Sequence, residues 1–216
     1  LWADEGNSVR LTERPLNLVI AAARADVHPP GYYVLLWGWV KVFGQSETAV
    51  RALSVVIGVL VVGAVYALGT YLLGARTGWL AGFCAAISPL QVQYSQEVRM
   101  YILVALLAIT STYAFTRWIN GGGFAGRRSR RWAIAYVLSG AAGLWTHYSF
   151  PVVLVCLNVV WVLWWIGRRE ERDVYSALWW VGLQAAVVLL YVPWISIAWG
   201  RVLNYGGISE RYSLAF

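Results

Sequence analysis

The chain has 216 residues, of which 60% are hydrophobic and only 12% are charged, with a formal net charge of +7. Soluble domains usually carry about 25% charged residues, so this composition excludes an ordinary soluble protein and predicts a polytopic membrane protein. The positive charge does not indicate a nucleic-acid partner, because several arginines lie in short loops between apolar segments, where membrane topology explains them.

The first fifty residues are predicted to form an outer loop with two juxtamembrane helices and part of an active site. The apolar run Tyr32–Phe43 has about a dozen residues, whereas a membrane span needs roughly 17 to 25. We therefore expect a helix that lies at the outer interface or is partly inserted. The preceding segment LNLVIAAARAD predicts a second such helix. No signal peptide is visible and the chain starts at Leu1, so we expect a fragment that has lost an N-terminal helix.

Residues 51–199 are predicted to form a bundle of about six transmembrane helices, which makes the fold class all-α. Two of the apolar segments are short for a bilayer and must run steeply, thin the bilayer or end in a protein-lined cavity. The six predicted spans are Arg51–Leu73, Trp79–Tyr94, Tyr101–Trp118, Trp132–His147, Phe150–Ile166 and Ser176–Trp199. Residues 200–216 are predicted to be a further outer loop, which is truncated.

Three arginine-containing loops orient the predicted bundle. They are LLGARTG with Arg76, INGGGFAGRRSRR with Arg127, Arg128, Arg130 and Arg131, and GRREERD with Arg168, Arg169 and Arg172. If six helices alternate, these loops share one side of the membrane, and the positive-inside rule makes that side cytoplasmic. Both histidines and most acidic residues then lie on the other side. We therefore expect a multi-pass protein of the cell (plasma) membrane whose ionisable groups face the periplasm or the exterior.

Adjacent carboxylates near the start of the chain are the first candidates for chemistry. One residue of the pair Asp4–Glu5 can accept a proton from an attacking hydroxyl, while the other binds substrate or tunes its neighbour. The alternative is a solvated helix end. In HPP, Pro29 holds His28 in an extended conformation at the entrance of the next helix. There His28 can donate a hydrogen bond, ligate a metal or cap the helix.

The segment SPLQVQYSQEVRMY places Glu97 and Arg99 beside a predicted membrane boundary. Ionisable groups at that depth are costly and tend to face a cavity or a partner. The guanidinium of Arg99 offers a planar fork of donors that suits a phosphate group. The alternative is a surface ion pair between these two residues.

Two further patterns are not predicted to carry chemistry. GGGFAG matches G-x-G-x-x-G at Gly121, Gly123 and Gly126, but it follows a membrane helix rather than a strand, so it indicates a flexible loop. Cys84 and Cys156 lie inside apolar runs without the spacing of metal ligands.

Four motifs stand in order along the first half of the chain. They are DE (Asp4–Glu5), HPPGYY (His28–Tyr33), GQSETAVRALS (Gly44–Ser54) and SPLQVQYSQEVRMYIL (Ser88–Leu103). In this combination the chain resembles the GT-C membrane glycosyltransferases, in the branches related to protein O-mannosyltransferases and lipid A aminoarabinose transferases. The second half resembles them only in hydropathy.

The resemblance implies an enzyme that moves a sugar from a polyprenyl-phosphate carrier to a hydroxyl acceptor at the outer membrane boundary. Asp4 matches the general base of the family, and Glu5 would support the site. His28, Glu97, Arg99 and, more weakly, Tyr101 match the region that binds the donor and its carrier phosphate. Some relatives place a basic residue around the Pro-Pro motif, where this chain has Tyr32 and Tyr33.

Partners and alternatives follow from the same residues. The expected partners are the lipid-linked donor, a protein, lipid or glycan acceptor and the bilayer, but no nucleic acid. No cofactor is certain; two carboxylates and a histidine on one face could hold a divalent cation, although their spacing is no ligand signature. Two alternative functions are a transporter or flippase of a lipid or small solute and a non-catalytic scaffold. For a transporter, polar residues near the middle of the bilayer are expected.

Overall fold

The computed structural model describes residues 3–23, 28–121, 127–167 and 174–202, and in these residues the chain forms ten α-helices and no strand. The helices are α1 (Ala3–Thr12), α2 (Leu16–Ala23), α3 (Gly31–Phe43), α4 (Glu47–Leu73), α5 (Ala75–Ile87), α6 (Pro89–Tyr94), α7 (Tyr101–Asn120), α8 (Arg127–Thr146), α9 (Pro151–Gly167) and α10 (Val174–Val202). The prediction of an all-α membrane bundle is confirmed.

The long helices alternate in direction, so the bundle has two different ends. At one end α4 finishes, α7 finishes and α8 begins: Asn120 donates a hydrogen bond to the Tyr71 hydroxyl at 3.1 Å, and the Arg117 guanidinium lies 4.9 Å from the Trp132 ring centre. We call this the arginine end, because Arg76 and the start of α8 lie there. At the other end α8 finishes and α3, α4 and α7 begin. We call that the site end.

Within the described ranges, three helices are long and apolar enough to cross a membrane by length and composition, namely Glu47–Leu73, Tyr101–Asn120 and Val174–Ile197. Helix α9, Pro151–Gly167, is apolar but shorter. Their outer faces carry many exposed valines and leucines, as lipid contact requires. The total of six spans stays a prediction.

The second predicted span, Trp79–Tyr94, is not a single helix. Helix α5 ends at Ile87, and Ser88 takes an extended conformation with ψ of 123°. The cause is Pro89, which disfavours helical geometry at the residue before it and begins a new helix as its first residue. Helix α5 packs so closely along α4 that a Cβ on Gly78 would lie 2.7 Å from the Thr70 nitrogen. The break directs the chain to the site end before α7 begins.

Helices α2 and α3 lie where the sequence predicts juxtamembrane helices before α4; their position at the membrane surface stays a prediction. Helix α3 buries Tyr32, Tyr33 and Leu36 against its neighbours and leaves Val42 and Phe43 exposed near its end. It contacts α1, α2, α4 and α8. Helix α3 therefore ties the N-terminal helices to the bundle instead of lying apart from it.

The helices α8, α9 and α10 are joined inside the bundle by a polar network. Asn158 accepts from the Trp180 indole at 2.9 Å and donates to Gln184 at 3.3 Å, while Gln184 donates to the Tyr136 hydroxyl at 2.9 Å. Because an unpaired amide is costly in hydrocarbon, these bonds favour one packing of the three helices.

Candidate active site

Helix α1 carries both acidic residues of the DE motif, and they have different surroundings. Glu5 is buried, with 3% of its side chain exposed. One carboxylate oxygen accepts a hydrogen bond from the Val98 amide at 2.9 Å, and the other lies 3.3 Å from the Arg51 guanidinium of α4. Glu5 therefore joins α1 to α4 and to the loop between α6 and α7. Asp4 is 75% exposed and faces open space.

Helix α4 is hydrogen-bonded both to α6 and to the loop 95–100 that follows it. The Ser54 hydroxyl donates to the Glu97 carbonyl at 2.6 Å, and Gln91 donates to the Gly58 carbonyl at 3.1 Å. The Glu97 side chain accepts from Gln93 at 3.1 Å. Hydrogen bonds to α4 and α1 fix the backbone at Glu97 and Val98. They therefore also orient Arg99, the residue that follows.

Glu5→Gln is expected to loosen this loop. Glutamine keeps the shape of the side chain. Arg51 loses its buried carboxylate partner, and the Val98 amide keeps only a weaker, neutral acceptor. Together these losses are expected to lower the free energy of unfolding by about 1–3 kcal/mol. Thermal unfolding of the detergent-solubilised full-length protein measures this change. Glu47→Gln is the matched control, since it removes the exposed carboxylate that lies 3.1 Å from the same guanidinium; about 0.5 kcal/mol is expected there. Equal losses in the two variants would contradict the anchoring role of Glu5.

Asp4 and Arg99 form the ionic centre of the site. The Arg99 guanidinium lies 3.8 Å from the Asp4 carboxylate and 5.8 Å from the ring centre of Tyr101. Only 15% of the Arg99 side chain is exposed. Among the described residues its ion-pair partner is Asp4 and not Glu97, so the alternative of a local surface pair is wrong. A carboxylate and a partly buried guanidinium thus stand side by side at the site end.

His28 lies at the entrance of α3, as the HPP motif predicts, but it does not cap that helix. The N-cap position is Pro30, without a side-chain cap hydrogen bond. The imidazole instead packs on His147, with ring centres 5.1 Å apart. This contact depends on Gly31, because a Cβ there would lie 2.6 Å from the Trp145 carbonyl oxygen of α8. Glycine thus allows α3 to begin directly against the end of α8.

His147 belongs to the site although the sequence motifs did not select it. Its Nδ1 accepts a hydrogen bond from the Ser149 amide at 3.0 Å, so the neutral ring carries its proton on Nε2. Burial and the nearby Arg99 charge lower the pKa of His147 and so favour the neutral ring. Its ring centre lies 6.1 Å from that of Tyr101. The sequence showed only that His147 falls on the same side of the membrane as His28.

Two open cavities meet at the Asp4–Arg99 pair. The first, which we call the acidic cavity, has a volume of about 480 Å³ and is lined by Asp4, Glu5, Gln93, Tyr94, Glu97, Arg99 and Tyr101. The second, which we call the basic cavity, has a volume of about 640 Å³ and is lined by Asp4, Asn7, Ser8, Arg10, Leu11, Arg14, Ala22, His28, Tyr33 and Arg99. All six predicted site residues therefore lie at one end of the bundle. Tyr33, Arg10 and Arg14 are additional lining residues.

Metal ligation has little support in this part of the chain. The described residues contain no group of three or more His, Cys, Asp or Glu side chains close enough to hold a metal ion. The divalent cation stays an expectation of the sequence.

A helical membrane bundle with a carboxylate–guanidinium centre at one end agrees with the resemblance to GT-C membrane glycosyltransferases, and comparisons with known proteins support that class. The sequence profile of the dolichyl-phosphate-mannose-protein mannosyltransferases matches residues 27–197, and the chain belongs to this family. Its structure is similar to the crystal structure of ArnT from Cupriavidus metallidurans in the apo state, with a TM-score of 0.60 and 18% sequence identity. The match covers 83% of this chain and 33% of that chain, so the sequence spans about a third of that protein's length. The curated proteins contain no match to the chain.

Proposed function

We propose that the chain is the catalytic part of an enzyme that transfers a sugar from a polyprenyl-phosphate carrier to a hydroxyl acceptor. The observation that carries this proposal is the Asp4 carboxylate 3.8 Å from the Arg99 guanidinium, where two open cavities meet. Transfer from a lipid phosphate needs these two groups together: a base for the acceptor hydroxyl and a cation for the phosphate that leaves.

The proposed reaction is a single displacement at the anomeric carbon of the sugar. The acceptor oxygen forms a bond to this carbon as the bond from the carbon to the phosphate oxygen breaks. Asp4 takes the proton of the acceptor hydroxyl, and the carrier departs as a phosphate monoester with the electron pair of the broken bond. Arg99 and the Tyr101 hydroxyl would bind the phosphate, Glu97 would position the sugar of the donor, and His28 would contact the substrates from the other side of the Asp4–Arg99 pair. Attack from the face opposite the phosphate inverts the anomeric configuration.

The site end is proposed to face the periplasm or the cell exterior, in the plasma membrane. The support is the position of the acidic residues, which in the described part of the chain lie at the site end, beside arginines, and not at the arginine end. Arg76 and Arg130 lie at the arginine end, whereas Asp4 and Glu97 lie at the site end. Since cytoplasmic loops are enriched in Arg and Lys, the arginine end is the cytoplasmic one.

The full-length protein, reconstituted in lipid nanodiscs with a synthetic polyprenyl-phosphate sugar, is expected to release polyprenyl phosphate and form an inverted glycoside on the acceptor. Product analysis by mass spectrometry and NMR checks both. A nucleotide sugar in place of the lipid donor is the control and is expected to give no product, because it lacks the lipid chain. Transfer from the nucleotide sugar alone would contradict the proposal. Movement of an intact lipid or solute across liposomes, without any glycoside, would favour the transporter.

A further inference from the structure

The two cavities that share Asp4 and Arg99 differ in charge. Among the described residues, the acidic cavity adds the carboxylates of Glu97 and of Glu5, which is paired with Arg51, and no further cation. The basic cavity adds two guanidinium groups, from Arg10 and Arg14, together with His28, and no further carboxylate within the described ranges. Each cavity therefore suits a ligand, or part of a ligand, with a different charge.

The wall that carries the extra arginines is formed by α1 and the turn that follows it. Asp4, Ser8 and Leu11 recur at helical spacing along the face that lines the cavity. Arg14 is the second residue after the end of α1, and its carbonyl accepts a hydrogen bond from the Trp37 indole of α3 at 3.0 Å. The backbone of Arg14 is therefore fixed relative to the opposite wall, to which α3 contributes Tyr33.

The positive charge of the basic cavity is larger than a sugar donor needs. Its described lining has three guanidinium groups, of Arg10, Arg14 and Arg99, and one carboxylate, of Asp4. Within the described part of the chain, no ion pair involves Arg10 or Arg14. A sugar linked to a carrier through one phosphodiester brings a single negative charge. When Asp4 and this phosphodiester are both set against the three guanidinium groups, one positive charge remains, shared by Arg10 and Arg14, for another anionic group.

On the proposed function, the two cavities divide the substrates between them. The hydroxyl groups of a sugar are hydrogen-bond donors and suit the carboxylates of the acidic cavity, with the donor phosphate on Arg99 at the junction. Asp4 also lies at the junction and therefore reaches an acceptor that enters from the basic side. We propose that the basic cavity binds the acceptor, and that this acceptor carries a phosphate or carboxylate group held by Arg10 and Arg14.

Binding of a small polyanion tests the basic cavity without knowledge of the natural acceptor. Inorganic pyrophosphate is titrated by calorimetry into the full-length protein in nanodiscs of phosphatidylcholine, which has no net charge. Arg10→Gln and Arg14→Gln are each expected to weaken binding roughly tenfold, because each removes a charge-assisted hydrogen bond. The matched control is Lys41→Gln, which removes a cation of α3 that lies over Trp37 and outside both cavities; unchanged binding is expected. Wild-type affinity in Arg10→Gln/Arg14→Gln would overturn the proposal.

Polyprenyl monophosphate distinguishes the acceptor from the donor. Its affinity is expected to change less than about threefold in Arg10→Gln/Arg14→Gln, and pyrophosphate is expected to bind while the carrier is saturating. Mutual exclusion of the two ligands, or equal loss of both in the double variant, would assign the arginines to the donor and overturn the proposal. Loss of pyrophosphate binding in nanodiscs with phosphatidylglycerol would assign them to a lipid headgroup and also overturn it. If the wild type binds pyrophosphate but no polyprenyl phosphate, the proposed function fails while the anion site stands.

Discussion

Asp4→Asn is expected to lower the rate of sugar transfer by about 10²- to 10⁴-fold while the affinity for the lipid carrier is retained. Asparagine has nearly the shape of aspartate but cannot accept the proton of the acceptor hydroxyl. The phosphate-binding groups stay in place, and Arg99 loses a carboxylate 3.8 Å away that competes with the phosphate for its guanidinium. Carrier affinity therefore stays constant or rises. Single-turnover transfer and equilibrium binding of polyprenyl phosphate measure the two quantities separately.

Glu13→Gln is the matched control for this variant. Glu13 follows α1, is exposed and lines neither cavity, so the same change of charge is expected to leave transfer unchanged. Wild-type turnover in Asp4→Asn would reject the general-base role. A parallel loss of carrier binding would instead make Asp4 a binding residue.

Arg99→Gln is expected to weaken carrier binding and also to lower kcat by about 10²- to 10³-fold. Loss of one hydrogen-bond donor to a developing oxyanion lowers kcat in enzymes by about the same factor. The reason is that the phosphate gains negative charge as its bond to the sugar breaks, so the interaction is stronger in the transition state than in the ground state. The partial burial of Arg99 strengthens this interaction. Kd for polyprenyl phosphate and kcat with saturating donor are the measurements.

Arg99→Lys separates charge from geometry at the same position. Lysine keeps the positive charge but not the planar fork of donors, so we expect carrier binding to recover more fully than kcat. If Arg99→Lys and Arg99→Gln lost carrier binding and kcat to the same extent, the role of charge would be refuted. Unchanged binding in Arg99→Gln would remove Arg99 from the phosphate site altogether.

Much of the fold was predictable from the sequence because a bilayer imposes simple requirements. A spanning segment must be apolar and helical, so hydropathy alone located α4, α7 and α10. The short apolar run Tyr32–Phe43 forms the helix α3, and its exclusion from the spans by its length stays a prediction. The break before α6 was missed, although hydropathy falls after Ile87 and Pro89 marks the position.

The composition of the site was predictable in part, because the separation of charges between loops assigned Asp4, His28 and Arg99 to one side of the membrane. Their distances were not predictable. The hydrogen bond that the Val98 amide donates to Glu5 joins residues 93 positions apart, and it forms only because α1 packs on the bundle. Arg10 and Arg14 have the sequence pattern of solvated surface residues. Only the folded chain shows that they line a cavity with Asp4.

The close contact of α3 with α8 limits which sequences this site end can accept in evolution. Every substitution of Gly31 adds at least a methyl group, and that carbon would lie 2.6 Å from the Trp145 carbonyl oxygen. To relieve the overlap, the start of α3 would have to move, and the two imidazoles in contact, His28 and His147, would separate. The neighbouring Pro30 and Gly31 are therefore expected to vary together with the end of α8 and not independently. In a saturation library selected for transfer, glycine is expected to dominate position 31, whereas Gly38 of the same helix, with nothing within 4 Å of its would-be Cβ, is expected to accept alanine.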